Sequence, residues 1–335
     1  MTRAVPAEWA PHSAMWLGFP SHAELWEDNL EPAQREVAGL ARALAGPGLE
    51  RVRLLIEGDE AEAMARRLLT GIAGVEIVRG QFGDIWLRDS GPIFIEDGGE
   101  ALPQGFGFNG WGGKYILDGD EQVAEQIAAA SGAPLNRHDF ILEGGAIDHD
   151  GFGLALTTRQ CLLNPNRNPG WTEADAGTAL AVSLGARKLL WLDEGLLNDH
   201  TDGHIDNLAR FVAPGVVACP VAWGRDDPNE QVYAAAAEAL SAMTDIRGAP
   251  LQVVRIASVG LLEDADGQAI PASHMNFVIA NGAVIVPIYT EGPGAFALDA
   301  FKSLFPERAV IGLPARAILT GGGSFHCITQ QEPAV

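Results

Sequence analysis

Residues 204–223 read HIDNLARFVAPGVVACPVAW. Two apolar runs lie on either side of Pro214-Gly215, a dipeptide typical of a hairpin turn. Apolar residues then recur at three- and four-residue steps through Asn229–Met243, which predicts an amphipathic helix. The short apolar run LQVVRIA at Leu251 closes the segment. The stretch therefore predicts a unit of two antiparallel strands, a helix and a third strand.

The same order of elements recurs along the chain at intervals of about 55 to 70 residues. Strand-like segments also begin at Ala14 (AMWLGFP), Asp84 (DIWLRDSGPIFIED), Phe140 (FILEGGAIDHDGFGLALTT) and Met275 (MNFVIANGAVIVPI), and most continue through a turn into a second strand. Helices are predicted at Glu31–Leu44, Glu121–Ala130, Glu173–Leu184 and Ala295–Leu304, and closing strands begin at Arg51, Leu135, Lys188 and Ala309. A further helix, Ala61–Leu69, interrupts the first unit.

A repeated unit of this size predicts a closed arrangement. One unit of about 60 residues cannot bury both faces of its own small sheet, whereas five units around an axis can. We therefore predict an α/β fold, a five-bladed α/β propeller of ββαβ units around a central cavity. No linker-like tract divides residues 1–335, so a single domain is expected. A doubly wound sheet is the alternative, and the hairpins disfavour it because they imply antiparallel pairing.

The composition limits the partners. Acidic residues number 44 against 22 basic ones, a net charge of −22, which repels nucleic acid. Such charge can concentrate a small cation, although solubility alone is the plainer interpretation. No apolar stretch is long enough to span a membrane, and the N-terminus lacks a leader-like pattern, so a cytoplasmic location is expected. The three cysteines indicate no disulfide framework.

The segment GGGSFHC, residues 321–327, carries the strongest local chemical signal. Glycines allow a backbone to approach a ligand closely, and a thiolate is a potent nucleophile. A buried structural Cys327 after a glycine turn is an equal alternative at this stage. A zinc site is disfavoured because His326 and Cys327 would point in opposite directions on a strand, and no Cys-x-x-Cys spacing exists.

Three further segments carry polar residues that suit catalysis or cation binding. His204 and Asp206, two residues apart, would share one face of a strand. Glu143, followed by two glycines, could project into a cavity and orient a histidine. Trp86 offers a cation–π face and Asp89 a bidentate carboxylate, but both can face one cavity only if a bulge or turn separates them. Surface ion pairs or turns remain the alternatives for each segment.

Taken together, six blocks resemble the agmatine deiminases, members of the bacterial peptidyl-arginine deiminase-like family within the guanidine-modifying penteins. The resemblance runs from Pro6 to Gln331 and covers nearly the whole chain. The blocks are WLRDSGP at Trp86, FNGWGGK at Phe108, LEGG at Leu142, CLLNPNRNP at Cys161, GHIDN at Gly203 and GGGSFHCITQQ at Gly321.

The resemblance implies a role for each matching residue. Cys327 falls at the nucleophile, His204 at the general acid and base, and Glu143 at the carboxylate that supports this histidine. Asp89 and Asp206 match the pair that grips the guanidinium. Trp86 and Trp111 match walls of the pocket. The implied reaction converts agmatine to N-carbamoylputrescine and ammonia through a covalent amidino-thioether, a step of putrescine biosynthesis, without metal or cofactor.

The resemblance leaves the substrate and the assembly to be settled. Agmatine is a dication, so its distal amine needs a second acidic patch, for which Asp202 and Asp199 are candidates because they precede His204. An arginine or peptidyl-arginine deiminase, an amidinotransferase and a non-catalytic propeller that binds a partner are the alternatives. A homo-oligomer is left open.

Overall fold

Hairpin turns open four of the five structural units, as the sequence predicts. In the computed structural model, which describes residues 3–335, the two strands of each hairpin pair antiparallel, and the second strand then pairs parallel with the strand that follows the helix. The strands are β1 His12–Gly18, β2 Val52–Ile56, β3 Val75–Arg79, β4 Ile93–Asp97, β5 Glu100–Gly107, β6 Asn136–Ile141, β7 Ile147–His149, β8 Leu154–Thr158, β9 Lys188–Leu192, β10 Arg210–Ala213, β11 Val216–Val221, β12 Gln252–Ala257, β13 Val278–Ile279, β14 Ala283–Ile288, β15 Ala309–Pro314 and β16 Thr329–Pro333.

Within residues 3–335, six helices of eight or more residues accompany these strands. They are α1 Leu30–Ala45, α2 Asp59–Leu68, α3 Val123–Ser131, α4 Glu173–Leu184, α5 Glu230–Ala242 and α6 Glu291–Leu304. The predicted bounds of α4 are exact because Thr172 and Asp175 form a capping box at its start. Helix α6 begins four residues before its prediction because Pro293 lies in the first turn, where backbone N–H groups need no helical partner.

The first unit takes its hairpin partner from the other end of the chain. Strand β16 pairs antiparallel with β1, which pairs parallel with β2, and β3 extends this sheet to four strands. The remaining four sheets have three strands each. The sequence prediction missed β3 and β16. This pairing joins the two ends of the chain in one sheet.

The long helices link the five sheets into a cycle. Helix α1 packs against β14 and β15 of the last unit, α5 against β9, and α6 against β12. Helices α3 and α4 share apolar clusters with β1–β2 and β4–β6 respectively. These five helices therefore lie between the sheet of their own unit and that of the preceding unit, so that apolar faces which one unit cannot bury alone are buried between neighbours. Within residues 3–335, no helix is long and apolar enough to cross a membrane.

Two site segments differ from their predicted strand conformation. Leu87–Ser90 forms a single helical turn, and the strand begins only at Ile93. Ile205–Asn207 forms a 3-10 turn, and the strand begins at Arg210. Alternating apolar and acidic residues suit a strand and a turn of this length equally, so the pattern alone could not separate them.

Candidate active site

Four units deliver a predicted site residue to one centre, in each case from the segment just before the first strand of the unit. Asp89 precedes β4, Glu143 precedes β7, Asp206 precedes β10, and Cys327 precedes β16. A Cβ atom at Gly145 would come within 2.6 Å of His204 Nδ1, 2.9 Å of Asp89 Oδ1 and 3.1 Å of Asp206 Oδ2. Only glycine fits this point of convergence.

The turns described above let neighbouring residues share this centre. The helical turn at Leu87 brings both Trp86 and Asp89 to the wall of one cavity, which resolves the conflict that an unbroken strand would create. Cys327 also lies in a turn. The prediction that His326 and Cys327 point in opposite directions is wrong, because both contact the carboxylate of Asp206, at 2.8 Å and 3.7 Å.

The two aspartates have different surroundings. Asp89 accepts hydrogen bonds from the Gly145 backbone N–H and from Trp111 Nε1, both at 2.9 Å. Burial and the charge of Asp206 raise the pKa of Asp89 well above its usual value. Burial is the largest influence on Asp206 and would raise its pKa, but the hydrogen bond from His326 and the nearby charges of His326, His204 and Arg210 together lower it below its usual value. Two adjacent buried carboxylates of this kind favour a bound cation.

Polar atoms at the centre have no partner in the folded chain. Asp206 Oδ1 and both ring nitrogens of His204 are buried and accept or donate no hydrogen bond within residues 3–335. His204 Nδ1 lies 3.7 Å from Asp89 Oδ2. Burial lowers the pKa of His204 to about 3, against the opposing charge of Asp206. The ring is therefore neutral at neutral pH, and these atoms are free to bind a polar ligand.

Glu143 is close to His204 but is held by another residue. A carboxylate oxygen of Glu143 lies within 4.8 Å of a ring nitrogen of His204, yet both oxygens accept from Arg167 Nε, at 3.1 and 3.2 Å. The expected hydrogen bond between Glu143 and His204 is not formed in this conformation. Support of the histidine by Glu143 stays a prediction. Sequence reasoning missed Arg167, although it lies in the CLLNPNRNP block.

Asp202 does not match its predicted role. It accepts hydrogen bonds from Lys114 Nζ and Asn166 Nδ2, and it forms an ion pair with Arg167. It is also absent from the residues that line the cavity. Asp199 is buried and bonded to Thr201 and Asn207. We therefore correct the assignment of both aspartates to a distal amine, because their oxygens already serve protein donors.

The cavity itself is about 420 Å³ and has aromatic walls. Trp26, Trp86 and Trp111 line it, and Cys327 lies among them. Asp84 accepts from the indole N–H groups of Trp26 at 3.0 Å and Trp86 at 2.7 Å, which fixes both rings. Burial raises the pKa of Asp84 to about 6. Trp26 and Asp84 were not predicted, since nothing in their spacing marks them.

The glycine loop makes room for these rings. A Cβ at Gly321 would come within 2.8 Å of Trp26 and 2.9 Å of Trp86, and one at Gly323 within 2.5 Å of Trp86. Gly322 alone of the three has a positive φ, at 102°. The glycines thus serve close approach, as predicted, but the atoms that approach them belong to tryptophan rings that line the cavity.

The surroundings of the thiol disfavour its charged form. Burial raises the pKa of Cys327 well above its usual value, and the charges of Asp206 and Asp89 add to this effect. Asn276 Nδ2 donates to Sγ at 3.0 Å. In the resting site, both the thiol and the imidazole of His204 are neutral.

One group of residues has the spacing of metal ligands. Glu143, Cys161 and His204 each offer an atom within 4.8 Å of the others, the one such buried group found in residues 3–335. The guanidinium of Arg167 occupies both oxygens of Glu143. Burial also raises the pKa of the Cys161 thiol well above its usual value. A fixed cation beside a neutral thiol opposes a metal ion at this position.

Known proteins share this architecture. A family model of Porphyromonas-type peptidyl-arginine deiminases matches residues 4–333. An agmatine deiminase of Pseudomonas aeruginosa (strain LESB58) is 37% identical over 354 residues, which cover 98% of this chain and 95% of the relative. A solved structure of the agmatine deiminase of Enterococcus faecalis superposes with a TM-score of 0.92 at 31% identity, covering 99% of this chain and 96% of the other.

A second solved structure, an agmatine deiminase of C. jejuni with substrate bound, superposes with a TM-score of 0.89 at 27% identity and covers 98% of this chain and 96% of the other. These likenesses confirm the predicted α/β fold class. Over nearly its full length, the chain therefore belongs to the Porphyromonas-type peptidyl-arginine deiminase family.

Proposed function

We propose that this protein hydrolyses the guanidinium group of agmatine to give N-carbamoylputrescine and ammonia. One observation carries the proposal. Unpartnered buried acceptors at Asp206 and His204 lie beside Asp89 and within one small centre that also contains the thiol of Cys327. A planar cation with forked N–H donors suits such a pair of carboxylates. The names of the relatives support the same substrate.

The proposed reaction begins with attack by Cys327. A guanidinium is a poor electrophile because its charge is spread over three nitrogens, so orientation by Asp89 and Asp206 must bring its carbon to Sγ. His204 first takes the proton of the Cys327 thiol, and the thiolate adds to this carbon. One C–N bond then breaks as the imidazolium of His204 gives that proton to the departing ammonia. Water, deprotonated by His204, then adds to the amidino-thioether, and the C–S bond breaks to release the ureido product and the thiolate.

The protonation states of Cys327 and His204 indicate that the positive charge of the substrate helps to form the thiolate. The thiol and imidazole are both neutral in the resting site. A bound cation offsets the carboxylate charges that disfavour the thiolate, so it lowers the cost of removing the thiol proton. The same cation would keep both Asp89 and Asp206 ionised. The buried position of the centre strengthens each of these effects, because few water dipoles screen them.

The cavity walls support agmatine over arginine. No lysine or arginine is found among the cavity-lining residues of the described chain, so a substrate carboxylate would meet no cation there. Glu27 lines the cavity, is exposed and forms no ion pair within residues 3–335. It has a positive φ of 47°, an uncommon conformation that often marks a functional residue. We assign the distal ammonium to Glu27 in place of Asp202.

Ammonia release from agmatine, free arginine and a capped arginine peptide tests this function. We expect the kcat/KM for agmatine to exceed that for arginine at least about a hundredfold, because an unpaired buried carboxylate costs roughly 3 kcal/mol. Comparable rates with arginine, or a preference for the peptide, would overturn the substrate assignment. No ammonia from any of the three would overturn the reaction.

The substitution Glu27→Gln tests the assignment of the distal amine. It should raise the KM for agmatine about three- to fivefold, since one partly exposed ion pair is lost, and leave the weak activity on arginine unchanged. Glu24→Gln is a matched control, because Glu24 is an exposed acid in the helical turn Ala23–Trp26, which ends just before Glu27, and it does not line the cavity. Equal effects of Glu27→Gln and Glu24→Gln on the KM for agmatine would contradict the assignment of the distal ammonium to Glu27.

A further inference from the structure

The fifth unit also delivers a polar residue to the active centre. Asn276 lies two residues before β13, in the position from which the other four units supply Asp89, Glu143, Asp206 and Cys327. It is fully buried, and its Nδ2 lies 3.0 Å from Cys327 Sγ. Neither the sequence motifs nor the reaction described above gives this residue a role.

The orientation of the Asn276 amide is fixed by all of its hydrogen bonds. Its Oδ1 accepts from the backbone N–H groups of His326 at 2.9 Å and Cys327 at 3.2 Å. Its Nδ2 donates to Asn207 Oδ1 at 3.0 Å as well as to Sγ. A flipped amide would set N–H groups against two backbone N–H groups, so this orientation is the one that satisfies every partner.

Asn207 is fixed in turn. Its Nδ2 donates to a carboxylate oxygen of Asp199 at 3.3 Å, so its Oδ1 must face Asn276. Nδ2 of Asn276 has two hydrogens, and Asn207 takes one of them. Among residues 3–335, the second hydrogen has no acceptor except the sulfur of Cys327. Sγ therefore accepts a hydrogen bond from Asn276 Nδ2 whether Cys327 is a thiol or a thiolate.

A permanent donor at this position favours the charged form of sulfur. A thiolate accepts a hydrogen bond more strongly than a neutral thiol, because charge-assisted hydrogen bonds are stronger than neutral ones. The other neighbours of Sγ act in the opposite sense, since Asp206 lies 3.7 Å away and Asp89 is also close enough to raise the pKa of the thiol. Asn276 thus gives Sγ a hydrogen-bond donor without adding a charge to the site.

We propose that Asn276 is a catalytic residue that stabilises the Cys327 thiolate through its Nδ2–H, both before attack and when the C–S bond of the amidino-thioether breaks. Preorganised donors of this kind act without reorganisation at the moment of reaction. The proposal rests on Cys327 as the nucleophile of the proposed function. The contact with Sγ can nevertheless be tested without any substrate.

The test compares Asn276→Asp with the natural protein in two measurements. Aspartate has the same shape and keeps an oxygen for the two backbone N–H groups, but it removes the N–H that faces sulfur. Alkylation of Cys327 by iodoacetamide, followed by peptide mass spectrometry across pH, reports the thiolate directly. We expect the alkylation midpoint to rise by at least about one pH unit and kcat for agmatine to fall at least about tenfold.

Two further variants complete the test. Asn276→Ser removes the donor without adding charge, and it replaces the Asp variant if that protein does not fold; its midpoint should also rise. Asn281→Asp is the matched control, since Asn281 lies in the hairpin turn of the same unit and bonds the backbone of His12 instead. An unchanged alkylation midpoint in a folded Asn276 variant overturns the proposal, even if kcat falls. Failure of the proposed substrate would leave the alkylation result intact, so the two failures are distinguishable.

Discussion

Asp206 accepts a hydrogen bond from Nδ1 of His326 at 2.8 Å through one carboxylate oxygen, while its other oxygen, Oδ1, has no partner within residues 3–335. Nε2 of the same histidine lies 3.2 Å from Glu8, which also pairs with Arg210. The ring is therefore held between two carboxylates. The hydrogen bond from His326 fixes the orientation of the Asp206 carboxylate and leaves Oδ1 available to a cationic substrate.

The first prediction concerns this carboxylate and its partner in the clamp. Asp206→Asn and Asp89→Asn each keep the shape but remove one charge. We expect each to lower kcat/KM for agmatine by roughly 30- to 1000-fold, about 2–4 kcal/mol, because a charge-assisted contact in a closed site is lost. Steady-state kinetics measure this, with Asp97→Asn in the exposed β4–β5 hairpin as control. Unchanged kinetics in Asp89→Asn would show that Asp89 does not bind the guanidinium.

The second prediction concerns the point where the site residues converge. Gly145→Ala places a methyl group within 2.6 Å of His204 Nδ1, so the imidazole and the two aspartates must move apart. We expect a loss of kcat of at least about a hundredfold, since small displacements of reacting groups have effects of this size. Circular dichroism and kinetics measure fold and activity separately.

A matched glycine elsewhere controls for the added methyl group. Gly177 lies in α4, and a Cβ there would meet no atom within 4 Å. Gly177→Ala should keep full activity and raise the stability by about 0.5–1 kcal/mol, because alanine suits a helix better than glycine. Full activity in Gly145→Ala would show that His204, Asp89 and Asp206 do not act at one centre.

The third prediction tests the corrected role of Asp202. Because Asp202 joins Lys114 and Arg167, Asp202→Asn should lower the free energy of unfolding, measured in urea, by about 1–3 kcal/mol. The ratio of kcat/KM for agmatine to that for arginine should stay unchanged, since Asp202 does not line the cavity. A selective loss of agmatine activity would restore the original assignment to the distal amine.

The chemistry was more predictable from the sequence than the contacts that position it. The segments that contain Asp89, His204 and Cys327 have residue types that suit a cation-binding carboxylate, a proton-transfer group and a nucleophile, and the family resemblance favoured these roles over the structural alternatives. Arg167 could not be assigned in this way, because its partners Glu143 and Asp202 lie 24 and 35 residues away in sequence. The error on Asp202 has the same cause. The short sequence distance between Asp202 and His204 does not reveal that Lys114 and Arg167 pair with Asp202.

In the fold, too, local elements could be predicted from the sequence, whereas long-range contacts could not. Helices and hairpins follow from local periodicity and turn residues, so four units were predicted nearly as they occur. The pairing of β16 with β1 joins residues more than 300 positions apart, for example Trp16 with Gln330, and no local pattern encodes it. The turns at Leu87 and Ile205 replace predicted strands because the two carboxylates and the imidazole must reach one centre from short segments.

The fourth prediction concerns pH. Burial and two carboxylates raise the pKa of the Cys327 thiol above its usual value, so the free enzyme holds a neutral thiol at neutral pH. Because only the thiolate reacts, alkylation of the free natural protein by iodoacetamide should be slow at pH 7 and accelerate as the pH rises beyond about 9. A rate that is already maximal at pH 7 would indicate a resting thiolate–imidazolium pair instead.

The proposed reaction passes through a covalent intermediate on Cys327, whose mass can be measured. In His204→Ala both steps are slowed, but the departing ammonia can take its proton from bulk water, whereas the water that hydrolyses the adduct has lost its base. Incubation with agmatine followed by acid quenching should therefore trap the adduct. Peptide mass spectrometry should find a mass increase equal to agmatine less ammonia on Cys327, and none in Cys327→Ser. An adduct on Cys161 or Cys219, or turnover that persists in Cys327→Ser, would contradict the account.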